Sequence, residues 1–233
     1  MAPRLLVGAI PGHSPLTHEL QRAGHTVRPI DVNEDPGAIA HVDLVLLEGR
    51  ASDIRAAAAL LAAHARPRQM FLHTALEEGP QLLDDVETAQ AITMCAHNLF
   101  GDIWVTSAAD EIGETVVGLL IAEIGGTSMR IDDRRRPTIA AAQELRALEM
   151  TVRDDALELL SSAIPDFDAV ADAFLSAPAG RRQAKSPGEL DRLLGALEEP
   201  GVRRLFVDLQ RRRGELEQDM DTELWVIEKY EGG

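Results

Sequence analysis

The chain has 233 residues, enough for one large domain or two small ones, and 45% of them are hydrophobic, which suffices for a packed core. Its 39 acidic and 23 basic residues give a formal net charge of −16, which would repel a nucleic-acid backbone. No apolar run approaches the ~20 residues of a membrane helix, no signal segment opens the chain, and one cysteine allows no internal disulfide. We therefore expect a soluble cytoplasmic protein with a small-molecule ligand, without a nucleic-acid or membrane partner and without a metal site.

Strands and helices alternate in the first part of the sequence. Apolar runs predict strands at residues 4–9, 26–31, 42–47, 69–73, 91–96, 102–106 and 127–131. Helices are predicted between them at residues 14–23, 51–65 and 110–124. This alternation is typical of an α/β fold with a doubly wound parallel sheet, which binds ligands where loops leave the carboxyl ends of its strands. His73 and His97 lie at the ends of predicted strands and are expected at that edge.

After residue 133 the apolar residues recur at helical spacing. Prolines separate predicted helices at residues 138–160, 166–175, 188–197 and 202–228. We therefore predict two domains, a Rossmann-type nucleotide-binding domain over residues 1–133 and an all-helical domain over residues 134–233. The helices carry more apolar residues than one small bundle can bury, so we expect a homodimer through the helical domain. The apolar residues concerned are Leu193, Leu194, Leu197, Leu205, Phe206, Leu209, Leu224 and Trp225.

A histidine follows the fifth predicted strand, in the run His97-Asn98-Leu99-Phe100-Gly101. An imidazole with a pKa of about 6.5 can be neutral at pH 7 and accept a proton from a bound ligand. Gly101 lacks a side chain and would let the backbone approach that ligand closely. The alternative is a structural histidine that satisfies a carbonyl at the end of the strand.

This pentapeptide resembles the His-Pro-Met-Phe-Gly signature of the prephenate and arogenate dehydrogenases, and it differs at Asn98 and Leu99. Weaker similarities extend over most of the chain, at Ala23-Gly24-His25, Gly79-Pro80, Gly125-Gly126 and Gln143-Glu144-Leu145-Arg146. The resemblance implies the plan of the 6-phosphogluconate dehydrogenase-like superfamily, a Rossmann-type domain followed by a helical dimerisation domain. It also implies NAD(P)-dependent oxidative decarboxylation of prephenate, arogenate or an amino-substituted analogue, in aromatic amino acid biosynthesis or secondary metabolism. His97 would then accept the proton of the substrate's ring hydroxyl.

The resemblance also suggests which residues hold a dinucleotide. When the chain is aligned with the family at Ala23-Gly24-His25, Gly8 takes the first glycine position of the dinucleotide fingerprint. Ile10 and His13 then take the second and third positions. Gly12 lies between them, out of step with the pattern. Asp31, at the end of the second predicted strand, suits a ribose hydroxyl and favours NAD over NADP, with an ordinary loop acid as the alternative.

The same turn supports a second hypothesis, a family member without hydride transfer. Ile10 would obstruct a diphosphate and Pro11 removes a backbone donor, although Ser14 and the helix N-terminus could still attract an anion. The chain would then be a non-redox enzyme, or a ligand-binding or regulatory protein, for a related cyclic carboxylic acid. A third hypothesis is a purely structural helical dimer.

The substrate residues are expected beside the fourth and fifth predicted strands. Family members carry a serine after the fourth strand; Ala75 replaces it here, and Thr74 could supply a catalytic hydroxyl from one position earlier. His73, Asn98 and Gly101 would line the same pocket.

Arginine is the natural partner for the two carboxylates of a prephenate-like substrate, because its guanidinium binds a carboxylate through two hydrogen bonds. Arg146, on the first long helix, is the main candidate, and Arg136 and Arg153 are weaker ones. The basic run at residues 134–136 is flanked by acids and is expected to form a solvated face.

Overall fold

One seven-stranded sheet forms the centre of the first of two compact units. The computed structural model describes residues 4–11, 14–177 and 185–231, and the units comprise Met1–Leu148 and Glu149–Gly233. The sheet has the order β2-β1-β3-β4-β5-β6-β7, in which the first five strands of the chain are parallel. The strands are β1 (Leu6–Ile10), β2 (Thr26–Pro29), β3 (Leu44–Leu47), β4 (Met70–His73), β5 (Ile92–Phe100), β6 (Ile103–Ala108) and β7 (Thr127–Arg130).

Helices cover both faces of this sheet, which confirms the doubly wound prediction. Helices α1 (Pro15–Arg22) and α4 (Glu111–Glu123) pack on one face, and α2 (Ala51–Leu61) and the short α3 (Asp84–Glu87) pack on the other. Alternate residues of β3 contribute to the two apolar clusters, and the whole strand is buried. A strand covered on both faces has no solvated side, which is why its sequence is continuously apolar.

The fifth strand is longer than predicted and turns back into an antiparallel partner. The apolar run ends at Ala96, but β5 continues to Phe100 and pairs with β6 in the opposite direction. The predicted doubly wound parallel sheet is therefore mostly parallel, with one antiparallel pair between β5 and β6. Only Gly101 and Asp102 separate β5 from β6, too few residues for the crossover that a parallel pair requires.

The second unit is helical, as expected. Helix α5 (Arg136–Ala163) is followed by α6 (Ala171–Ser176), α7 (Pro187–Gly195), α8 (Pro200–Glu217) and α9 (Met220–Glu231). The predicted domain boundary, after residue 133, lies just before α5, whereas the division between the compact units falls within α5. No helix in the described ranges is long and apolar enough to cross a membrane.

The segment predicted as one helix over residues 202–228 is two helices. Gln218 has a φ of 55°, in the left-handed region, and this conformation ends α8 before α9 begins. Helices α7, α8 and α9 then pack around a small apolar cluster of Leu190, Leu194, Val207, Trp225 and Val226.

Candidate active site at the carboxyl edge of the sheet

The strand order creates a crevice between the carboxyl ends of β1 and β3. These neighbouring strands lead into α1 and α2, which lie on opposite faces of the sheet, and doubly wound sheets bind ligands at such a switch point. A cavity of about 400 Å³ lies there. Its lining is mostly apolar and consists of Ile10, Pro11, Val32, Asn33, Leu47, Glu48, Gly49, Asp53, Ile54, Ala56, Ala57 and Leu60.

The first turn of α1 satisfies most of its own backbone donors. The Ser14 hydroxyl accepts a hydrogen bond from the Thr17 N–H at 3.1 Å, and the Thr17 hydroxyl accepts one from the Ser14 N–H at 3.0 Å. Pro15 has no N–H, so in the described part of this turn the Leu16 N–H is the one donor left without a partner. A phosphate at this helix end would therefore find fewer donors than helix N-termini usually offer.

The residues predicted to hold a cofactor are distributed unevenly around the crevice. Ile10 lines the cavity, and Asp31 is exposed after β2, where its carboxylate accepts a hydrogen bond from the Asn33 N–H at 2.9 Å. Gly8 lies inside β1, where an added Cβ would come within 2.3 Å of the Ile30 side chain. It therefore provides room for packing and does not form the turn, contrary to its predicted role. Gly12 and His13 lie outside the described residues.

Glu48 is a site residue that the sequence analysis missed. It follows β3 directly, its N–H donates to the Ile10 carbonyl at 2.8 Å, and its half-buried side chain lines the cavity. Burial raises the pKa of this carboxyl group, and the nearby Ser14 hydroxyl opposes the shift. The signal in the sequence is an acid placed immediately after a continuously apolar strand.

His97 has a fixed orientation at the same edge. It is half-buried on the part of β5 that extends past β4, and its Nδ1 lies 2.7 Å from the Thr74 carbonyl oxygen. Because a carbonyl only accepts hydrogen bonds, Nδ1 carries the proton of the neutral ring, and Nε2 presents a lone pair. No partner for Nε2 occurs among the residues that the structure describes. The structure thus brings His97 and Thr74 together, with the Thr74 backbone as the group that orients the ring.

Asn98 and Gly101 stabilise the hairpin that carries His97. The Asn98 amide donates to the carbonyls of Gly101 and Ile103, at 3.0 and 3.3 Å. Gly101 has a φ of 55°, which glycine adopts without strain. The observed contacts of both residues are therefore within the turn. This corrects the prediction from the sequence that Asn98 and Gly101 line the substrate pocket.

Helix α5 passes the end of this hairpin. Gln143, which was noted from the sequence but not predicted as a site residue, donates to the Leu99 carbonyl at 3.1 Å. Arg146 lies three residues further along the helix, is exposed, and forms no hydrogen bond or ion pair with the residues that the structure describes. Residues three apart share a helix face, so Arg146 is available to a ligand near the hairpin.

His73 is buried in a row of polar side chains instead of lining a pocket. Its register neighbour on β5 is Cys95, which in turn pairs with Ser107 on β6. The His73 Nε2 donates to the Gly79 carbonyl at 2.9 Å. Burial lowers the pKa of His73 to about 4, and the positive charge of Arg136 adds to this effect. The prediction that His73 contacts substrate is wrong for this conformation, because its ring is fully enclosed.

Arg136 completes this buried row. Its Nε donates to the Asp133 carboxylate at 2.7 Å, and its Nη2 donates to the Ser107 hydroxyl at 2.8 Å. A longer bond of 3.4 Å reaches the Leu76 carbonyl, in the loop that follows Thr74. Arg136 is fully buried, so the expectation of a solvated basic run is wrong at this residue. Its guanidinium is committed to the protein, unlike that of Arg146.

Sequence comparison gives a match for the helical part of the chain. Residues 132–229 match the family described as 6-phosphogluconate dehydrogenase C-terminal domain-like. Among proteins of curated function, none matches the sequence.

Solved structures share the whole architecture at low identity. A Bacteroides fragilis protein assigned as an NADP oxidoreductase is 14% identical, with 90% of this chain and 97% of that chain covered and a TM-score of 0.69. Plasmodium falciparum pyrroline carboxylate reductase with NADP bound is 9% identical, with 96% and 95% covered and a TM-score of 0.56. Prephenate dehydrogenase from Aquifex aeolicus, in complex with hydroxyphenyl propionate and NAD+, is 12% identical, with 100% and 87% covered and a TM-score of 0.52. These likenesses show that the chain has their fold, a Rossmann-type sheet domain followed by a helical domain.

Proposed function

We propose that this protein is a nicotinamide-dependent oxidoreductase that acts on a cyclic carboxylic acid of the prephenate or arogenate type, with His97 as the proton acceptor. The observation that carries the proposal is the hydrogen bond from His97 Nδ1 to the Thr74 carbonyl, because it leaves Nε2 as an acceptor at the carboxyl edge. The match of residues 132–229, and a fold shared with proteins solved with NAD+ or NADP, support the cofactor class. The motif at residues 97–101 supports the substrate class.

The residues along the edge suit different parts of the two ligands. The cavity fits the adenosine half of NAD, since its walls are apolar and Asn33 and Asp31 offer polar groups near a ribose. β5 lies three strands from β1, about 14 Å at the usual spacing of about 4.8 Å, so a ligand bound in the cavity must be extended to approach His97. When bound, the nicotinamide supplies the hydride acceptor. His97 Nε2 takes the proton of the substrate hydroxyl, and Arg146 binds a carboxylate.

A second candidate function keeps this pocket but not the dinucleotide. The observation that favours it is the first turn of α1, where Ser14 and Thr17 cap each other and Pro15 lacks an N–H. A diphosphate is usually held by several free donors at this position. In this alternative, His97 performs acid–base chemistry on a cyclic carboxylic acid without hydride transfer.

A thermal-shift titration distinguishes the two functions. The purified protein is titrated with NAD+, NADP+ and prephenate, separately and together. We expect stabilisation by NAD+ of about 2.7 kcal/mol at 100 times its Kd, a further increase with prephenate, and NAD+ reduction in the mixture. NADP+ should bind more weakly because Asp31 opposes a 2′-phosphate. Stabilisation by prephenate alone, without NAD+ reduction, would favour the non-redox function, and no stabilisation by any ligand would contradict both.

We also propose that the helical unit forms a homodimer. The sequence predicted that the helical unit has more apolar side chains than it can bury. Of these, Leu194 and Trp225 are buried in the core of the unit, whereas Leu224 on α9 remains 56% exposed. Met220 and Ile227 are also exposed, and with Leu224 they follow the spacing of one helix face. A second copy of this chain would remove that apolar stripe from water.

Light scattering after size-exclusion chromatography tests this assembly. We expect twice the chain's mass for the wild type, and a shift toward the single-chain mass for Leu224→Glu, because a buried unpaired carboxylate is costly. Glu228→Gln, at an exposed polar position of the same helix, should retain the dimer. A wild type with the mass of one chain would contradict the proposal.

A further inference from the structure

We propose that Glu48 sets the affinity of the β1–β3 crevice for phosphate-bearing ligands, so that a dinucleotide binds well only when this carboxyl group is protonated or replaced by an amide. The inference rests on the proposed function in one respect, that the crevice takes a nicotinamide dinucleotide. Glu48, when ionised, would select against the diphosphate of the protein's own cofactor.

The backbone holds Glu48 between the ends of the two strands that form the crevice. Its N–H donates to the carbonyl of Ile10, the last residue of β1, at 2.8 Å. The side chain lines the cavity, and its Oε2 is buried without a hydrogen-bond partner in the part of the chain that the structure describes. An unpartnered buried carboxyl oxygen is unfavourable when ionised, and it is satisfied most simply by a proton or by a donor from a ligand.

The other groups around the cavity do not offset this charge. The described lining residues include a second carboxylate, Asp53 on α2, and no basic side chain. Asp53 is paired with Arg50 at 2.9 Å, and both are exposed. Asn33 and the neighbouring Ser14 hydroxyl are neutral, and His13 lies outside the described residues. A diphosphate bound in this crevice would therefore lie near a carboxylate that no basic side chain of the described lining offsets.

Because Glu48 is partly buried beside the cavity, dinucleotide affinity should change with pH in one direction. Burial raises the pKa of the carboxyl group, so its protonated form persists above the usual range for glutamate. The negatively charged diphosphate prefers the protonated form, and binding is accompanied by proton uptake. Dinucleotide affinity should therefore fall as pH rises through the pKa of Glu48.

The test is a calorimetric titration of the wild type and Glu48→Gln with NAD+ and with adenosine, at about pH 5 and pH 8. The diphosphate of NAD+ keeps its charge over this range, and adenosine carries no phosphate. In the wild type we expect NAD+ to bind about tenfold more weakly at the higher pH. Glu48→Gln should bind NAD+ about tenfold more tightly than the wild type at the higher pH, with little pH dependence. Adenosine should bind both proteins within about twofold at either pH.

A matched variant controls for the change in net charge. Glu87→Gln removes the same charge at an exposed position on α3 that does not line the cavity, and its NAD+ affinity should follow the wild type. If Glu48→Gln retained the full pH dependence of the wild type, the titrating group would be another residue, and the inference would be overturned. NAD+ binding to both proteins without pH dependence would also overturn it, while leaving the oxidoreductase function intact. Absence of NAD+ binding to either protein at either pH would overturn both.

Discussion

Replacing His97 by asparagine is expected to lower kcat about 10³-fold and to change KM little. The asparagine amide can still donate to the Thr74 carbonyl, as Nδ1 of His97 does at 2.7 Å, so the contact between β5 and the loop after β4 is retained. Its amide oxygen accepts hydrogen bonds but is too weakly basic to take a proton in place of Nε2, so the proton of the substrate hydroxyl has no recipient. The measurement is the initial rate of NAD+ reduction with prephenate and with arogenate over a range of pH.

Thr74→Val is the matched control for this experiment. It removes the Thr74 hydroxyl but keeps the backbone carbonyl that orients His97. If the hydroxyl binds substrate, KM should rise about tenfold, the usual effect of one lost hydrogen bond. A His97→Asn rate within about threefold of the wild type would contradict the role of His97 as base and support a structural histidine at the strand end.

The apolar pattern of the sequence predicted the sheet well where strands are buried on both faces. β3 and β4 are short apolar runs, and their boundaries agree with the prediction to within two residues. β5 was underestimated because its last four residues extend past the end of β4, where polar side chains such as Asn98 are tolerated. The antiparallel turn could have been predicted, because even the five residues between the two predicted strands are too few for the crossover of a parallel pair.

The candidate site was harder to predict because its contacts join distant residues. His97 stood out as a residue type in a motif, but its partner, the Thr74 carbonyl, is 23 residues away and is a backbone group. The bond from Arg136 to the Leu76 carbonyl spans 60 residues. Such pairings depend on strand register and on where α5 begins, and neither is encoded in a local pattern. Glu48 was missed for a different reason, because an acid after a strand is common in an acidic chain and becomes notable only once it is seen in the cavity.

Replacing Arg136 by leucine is expected to lower the free energy of unfolding by about 3 kcal/mol. The guanidinium is fully buried and joins Asp133, Ser107 and the Leu76 carbonyl. Leucine fills part of the volume but removes the guanidinium donor from all three groups, although the Asp133 carboxylate keeps the Ser107 hydroxyl as a donor at 2.8 Å. The Asp133 side chain is 36% exposed, so water partly replaces the lost guanidinium as its partner. The expected decrease in the free energy of unfolding is therefore at the lower end of the range for broken buried ion pairs. Urea unfolding at neutral pH measures the change.

The neighbouring residue provides the control, because Arg135 is exposed in the same basic run. Arg135→Leu should change the free energy of unfolding by no more than about 0.5 kcal/mol. Arg136→Lys should have an intermediate effect, since it keeps the positive charge but cannot reach all three acceptors in one plane. If Arg136→Leu were no more destabilising than Arg135→Leu, the cost of burying the guanidinium would equal what its hydrogen bonds contribute. The buried row would then fix the loop after Thr74 in one conformation without adding to the stability of the sheet.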